Sequence, residues 1–173
     1  MDVTNNKWTA RLLGMAKKVA SWSKDRSTKV GAVITTKDGL PVSWGFNGMP
    51  MGIDDDKEER HERPIKYKWF GHAEQNAMDL APNGDLTDCV MFVTFSPCAR
   101  CAQSIINKKI KTVVVDANFA AHKMPERWQE DMNVALEMLR EAGVTVLERE
   151  PESFGKVEQF VTVPTLRSVD TDK

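Results

Sequence analysis

Between Asn5 and Ser23 the apolar residues Trp8, Leu12, Met15, Ala16 and Val19 recur at helical spacing, while Arg11, Lys17 and Lys18 fall elsewhere. The pattern predicts an amphipathic helix capped by Thr4 or Asn5. The pattern then becomes β-rich. Val30 to Thr36 reads as a strand, Lys37-Asp38-Gly39 as a turn and Pro41 to Phe46 as a second strand, so a hairpin follows the helix. From Asn47 to Arg63 the chain carries Gly48, Pro50, Gly52 and a dense mix of charges, which reads as a long loop or insertion. Beyond it strands and helices alternate: helix 72–81, buried strand 89–95, helix 98–107, strand 111–116, helix 126–142 and strand 144–147. Trp128, Met132, Ala135, Leu136 and Leu139 form the stripe of the last helix, and Gly143 ends it. Residues 157–161 could add a short strand, and 168–173 reads as a frayed end.

A hairpin followed by alternation implies an α/β protein with a five-stranded mixed sheet covered on both faces, a three-layer α/β/α domain. At 173 residues, 41% of them hydrophobic, the chain suits a single domain over 1–150 with an extension at 151–173, partly flexible. Twenty-four basic residues against twenty-five acidic ones provide no global field for phosphate chains, so no nucleic-acid partner is expected. The start of the sequence lacks a basic segment leading into an apolar one, and no long apolar run follows. A cytoplasmic protein without membrane association is the expectation.

Three cysteines are present, and Cys98 and Cys101 form a Cys-x-x-Cys pair, which in a reducing compartment points to metal or redox chemistry. With His72 they fall at the expected starts of two helices, where the helix dipole favours thiolates. Pro97 suits the first turn, and a three-residue step puts both sulfurs on one helical face. Zinc held by three protein ligands keeps a fourth position for water, the arrangement of a catalytic site. Glu74, two residues after His72, is placed beside that water without having to be a ligand. It can take a proton there and pass protons to a ring nitrogen and a departing amine. His-x-Glu followed by Pro-Cys-x-x-Cys is a known signature of zinc nucleobase deaminases. Cys89, inside the run Val90 to Val93, reads as a buried core thiol, His61 and His122 as solvated loop residues, and Trp128 as core.

These residues resemble the cytidine and deoxycytidylate deaminase superfamily, and within it the deoxycytidylate (dCMP) deaminases. The resemblance runs from about Trp8 to Leu147. It is carried by Lys29 to Ile34, Gly45 to Gly52, His72-Ala73-Glu74-Gln75-Asn76-Ala77 and Phe95 to Cys101. It implies a cytidine-deaminase-like fold, one catalytic zinc ion per chain on His72, Cys98 and Cys101, and Glu74 as the catalytic proton shuttle. Hydrolysis of dCMP to dUMP and ammonia follows from it, supplying dUMP for thymidylate synthesis. The same resemblance implies that Asn47 bonds the sugar, that Ala73 and Ser96 offer backbone groups to the base, and that Arg26 and Ser27 lie near the 5′-phosphate. For Arg26 there is also a physical case, since a guanidinium binds phosphate bidentately.

Family members assemble as homo-oligomers, from dimers to hexamers, and respond to dCTP and dTTP. Here Asn83 stands where regulated members often carry a basic residue, which counts against that regulation. The loop with Gly48, Pro50 and Gly52 remains and could receive an effector. Other readings stay open: deamination of CMP, cytidine or a 5-substituted dCMP, a tRNA adenosine deaminase, and a zinc-stabilised binding module without turnover. Near-neutral charge and the mixed-charge segment 53–63 argue against a tRNA substrate.

Overall fold

The computed structural model describes residues 5–120 and 126–149. Helix α1 (Asn6–Ala20) begins where the Asn5 side chain accepts a hydrogen bond from Trp8 N at 3.1 Å, a cap worth about 1 kcal/mol. Strands β1 (Gly31–Thr35) and β2 (Pro41–Phe46) form the hairpin. They are followed by a short 3₁₀ turn at Glu58–Arg60 and the four-residue helix α2 (Lys66–Trp69). Then come α3 (Ala73–Asp79), β3 (Val90–Val93), α4 (Ala99–Asn107), β4 (Thr112–Asp116), the short α5 (Ala117–Ala120), α6 (Glu126–Glu141) and β5 (Thr145–Arg149).

The sheet order is β2-β1-β3-β4-β5. β1 runs antiparallel to both β2 and β3, while β3, β4 and β5 are parallel and joined by crossovers containing α4 and α6. Side chains alternate between two cores, as the period of a strand requires. Val33, Phe92, Val114 and Leu147 face Leu12, Leu13, Ala16 and Val19 of α1. Ile34, Met91, Val93, Val113 and Val115 face α3, α4 and α6 through Ala77, Met78, Ala102, Ile105, Ala135 and Leu139. The expected three-layer α/β/α sheet is therefore present.

Two glycines bring helices close to the sheet. A Cβ on Gly31 would lie 2.1 Å from Ala16 O, and one on Gly45 would lie 2.3 Å from Ala77 N and 2.6 Å from Ala73 O. Only a residue without a side chain lets α1 lie on β1 and α3 on β2 at this distance.

Several expectations need correction. Met15 is 43% exposed, because the buried stripe of α1 is centred on Leu12, Leu13, Ala16, Val19 and Ala20 and Met15 lies to one side of it. His61 is half-buried: Nε2 lies 2.7 Å from Asp55 O, and the ring meets Phe70 edge-on with centroids 5.4 Å apart. Trp128 is half-buried too, edge-on to Tyr67, with its ring outside both cores. The 3₁₀ turn, α2 and α5 are too short to leave a period in the sequence. Thr4, His122 and the segments 157–161 and 168–173 lie outside the described residues.

Candidate metal centre

His72 and Cys98 both occupy the extended position just before a helix, His72 with φ −83° and ψ 152°, Cys98 with φ −79° and ψ 170°. The residues immediately after each of them are helical, so Glu74 falls in the first turn of α3 and Cys101 in the first turn of α4. Local contacts set the register of the two helices. Asn76 Nδ2 donates to Phe46 O at 2.7 Å, fastening α3 to the end of β2 beside Gly45. Ser104 Oγ donates to Gln75 Oε1 at 2.9 Å, joining α4 to α3. Asp131 of α6 accepts from Ala99 N at 3.0 Å and satisfies a free donor at the start of α4. The Asp131 contact has no sequence signal, because its partner is a backbone N–H thirty-two positions away.

His72 Nδ1 lies 3.3 Å from Cys98 Sγ and 3.3 Å from Cys101 Sγ. The three ligand atoms all fall within 4.8 Å of one another, and no other trio of this kind occurs among the described residues. One imidazole nitrogen and two sulfurs at this separation suit a zinc ion, which takes such ligands at roughly 2.0–2.3 Å. Three ligands leave one tetrahedral position open. Cys89 is a buried core thiol at the foot of β3 and takes no part.

The charges around the trio are strained in a way that a cation would relieve. The hydrogen bond from Cys101, aided by His72, pushes the Cys98 thiol down to about 4. The same contact with Cys98, together with burial, pushes Cys101 up, so two adjacent sulfurs share one negative charge. Contact with Cys98 also raises His72. A divalent cation would hold both sulfurs as thiolates and the imidazole neutral. Glu74 is 4% exposed, and burial lifts its carboxyl to about 7 while its side chain reaches that of Cys101. Ala73, directly after His72, and Ser96, two residues before Cys98, are both buried.

The other expected site residues form a second polar cluster. Gly48 pairs with Gly71 through two backbone bonds of 3.1 and 2.8 Å, which brings the loop after β2 to the residue preceding His72. Beside this bridge, Asn47 Nδ2 donates to Asp25 Oδ2 at 2.9 Å and to Thr28 O at 2.8 Å, while its Oδ1 accepts from Val30 N at 2.7 Å. Asp25 also receives Lys66 Nζ at 2.6 Å, with side-chain exposures of 4% and 9% respectively. Ser27 Oγ donates to Asp25 Oδ1 at 3.0 Å and accepts from Lys66 Nζ at 2.5 Å and Arg63 Nη2 at 3.4 Å. Burial works against the charge of Asp25, but Lys66 and the backbone N–H groups of Ser27 and Thr28 outweigh it and lower its pKa. Arg26 is exposed and holds Glu58 bidentately, Nη2 to Oε1 at 2.6 Å and Nη1 to Oε2. Pro50 and Gly52 lie on the exposed loop beyond, with Gly52 at φ +81°. Asp25, Lys66, Arg63 and Glu58 escaped the sequence reading, since each finds its partner far along the chain.

Sheet order, helix starts and ligand set together define the class of cytidine-deaminase-like zinc proteins. Residues 6–117 match the family model for the cytidine and deoxycytidylate deaminase zinc-binding region. The chain belongs to that family. It is 43% identical over 141 residues to an uncharacterized deaminase in the luxG 3′ region of Aliivibrio fischeri, covering 82% of this chain and 92% of that protein. It is 34% identical over 143 residues to the deoxycytidylate deaminase of Mus musculus, covering 80% of this chain and 77% of that one. The structure of dCMP deaminase from the cyanophage S-TIM5 in complex with dCMP and dUMP shares the fold, with TM-score 0.66, 24% identity, and coverage of 84% of this chain and 99% of that one. No helix among the described residues is long and apolar enough to cross a membrane.

Proposed function

We propose that the chain hydrolyses dCMP to dUMP and ammonia. The observation that carries this reading is the trio of ligand atoms, His72 Nδ1 at 3.3 Å from two sulfurs, set against a buried Glu74. The relatives named as deoxycytidylate deaminases favour dCMP over other cytosine compounds.

Held by His72, Cys98 and Cys101, zinc would supply Lewis-acid activation of water. The oxygen of water adds to C4 of the ring. Glu74 carries one water proton to N3 and the other to the exocyclic nitrogen, whose bond to C4 breaks to release ammonia. Two protons leave water and two arrive on nitrogen, so one carboxyl completes the cycle. Burial keeps solvent from competing for those protons. Ala73 and Ser96 would offer backbone groups to the base edge, Asn47 would meet the sugar, and Arg26 and Ser27 the phosphate. The product would feed thymidylate synthesis. A homo-oligomer, dCTP and dTTP acting through the loop of Gly48, Pro50 and Gly52, and a cytoplasmic setting belong to the same reading.

The test is release of ammonia and loss of cytosine absorbance on incubation of zinc-loaded protein with dCMP, CMP, deoxycytidine or cytosine. Turnover is expected to be fastest with dCMP, and Glu74→Gln should retain zinc while losing at least about a hundredfold in rate. No ammonia from any of the four compounds removes the enzyme reading, and full activity in Glu74→Gln removes the shuttle.

A further inference from the structure

We propose that Glu58 is an internal stand-in for the substrate phosphate, occupying the Arg26 guanidinium until a nucleoside 5′-monophosphate displaces it. This inference rests on the reading of the substrate as a monophosphate.

Arg26 presents both terminal nitrogens to both carboxylate oxygens of Glu58, the planar two-bond geometry that a guanidinium offers equally to phosphate. Its neighbours are arranged for an anion. Ser27 Oγ, next in the chain, accepts from Lys66 Nζ and from Arg63 Nη2. Lys66 is neutralised by Asp25, but among the described residues no carboxylate lies within ion-pair distance of Arg63. Two cations, Lys66 and Arg63, and one carboxylate, Asp25, thus meet at one hydroxyl, while Glu62 adds a negative charge near Arg26.

The two ion pairs of the cluster differ in how easily they part. Lys66 and Asp25 are buried, and that pair holds the cluster together. Arg26 and Glu58 are 56% and 72% exposed, and Glu58 sits on a one-turn 3₁₀ segment within a long surface loop. An exposed pair contributes little, so a phosphate dianion with two charges can replace a carboxylate with one. Glu58 then swings into water while the phosphate spans Arg26, Ser27 and Arg63. With no phosphate present, Glu58 keeps Arg26 neutralised, so the cluster is a weaker trap for small anions.

The test compares wild type, Glu58→Gln and Arg26→Gln, all zinc-loaded, in turnover of dCMP and of deoxycytidine. Calorimetric titration with 2-deoxyribose 5-phosphate accompanies it. Glu58→Gln should lower KM for dCMP about two- to fivefold, the scale of an exposed ion pair, and leave kcat unchanged. Arg26→Gln should raise it at least about tenfold, the scale of hydrogen bonds to a charged group. Neither should alter kcat/KM for deoxycytidine, and affinity for the sugar phosphate should follow KM. An unchanged or raised KM in Glu58→Gln, or parallel changes with deoxycytidine, overturns the proposal. If wild type turns over neither nucleoside nor nucleotide, the deaminase reading fails and the titration alone decides. Tighter sugar phosphate binding by Glu58→Gln then keeps the stand-in, and unchanged binding removes it.

Discussion

At the candidate metal centre the three ligand atoms and the Glu74 carboxyl come from the starts of α3 and α4, which pack on the sheet, whereas the Asp25 cluster is assembled from segments 23–28, 47 and 58–66, where the regular structure is limited to the 3₁₀ turn that Glu58 opens and the four-residue α2 that Lys66 opens. The first site is held from beneath by backbone docking: Gly45 admits α3 against β2, Asn76 fastens it, and Asp131 caps α4. The second is held from within by charge, a buried lysine and aspartate surrounded by amide and hydroxyl groups. Helix starts on a sheet give fixed geometry for a metal, while a loop cluster can exchange one anion for another. The difference teaches that a centre requiring fixed distances is placed on regular elements, and contacts that must rearrange are placed beside them.

The largest effect should come from the metal side. Cys101→Ser removes a sulfur that is 1% exposed and leaves two ligands. Zinc content by atomic emission should fall from about one per chain to near zero, with activity falling below detection, since an open site needs three protein ligands. Retention of full zinc would mean that the centre does not depend on this trio.

A smaller effect, felt as stability and not as metal loss, is expected from Asp25→Asn. It strands the buried Lys66 ammonium with the Ser27 hydroxyl, a loss of about 3 kcal/mol at neutral pH, the lower end for breaking a buried pair. The folded-state pKa of Asp25 lies below its ordinary 3.8, so the folded protein binds its proton less readily than the unfolded chain. The stabilisation is complete above that ordinary value and disappears as pH falls through the lower folded-state value. Wild type and Asp25→Asn should therefore differ most in melting temperature near neutrality and draw together only as pH falls below 3.8; parallel curves would show that Asp25 does not act through its charge.

The smallest effect belongs to the outer loop. Lys24 Nζ holds Asp55 at 2.6 Å and Asp56 at 3.0 Å on the surface, so Lys24→Ala should speed hydrogen exchange over 53–60 without moving the melting temperature or the zinc content. Faster exchange in α3 or α4 as well would join the two regions mechanically and remove the contrast between them.

Legibility in the sequence follows the same division. His72 with Glu74 and Cys98 with Cys101 are local pairs, and one strand between them brings the two helix starts to one end of the sheet, so the metal centre could be read from spacing. The sheet was legible because alternation of apolar runs with helical stripes allows few topologies. Arg26 and Ser27 were found through family likeness, but their partners were not. Glu58 lies 32 positions from Arg26, and Lys66 lies 41 from Asp25, separations at which charged residues leave no pattern.

The sequence by itself determined the order of the strands and of the longer helices and the placing of His72, Glu74, Cys98 and Cys101 at two helix starts, because periodicity and short spacing act within a turn or a strand. The tertiary structure alone decided that Met15 faces outward, that His61 packs on Phe70, and that Arg26 is held by a carboxylate of its own chain. Those outcomes depend on which surfaces meet after the sheet has closed over its helices. Burial and charge pairing across distant segments then choose among side chains that look alike along the chain.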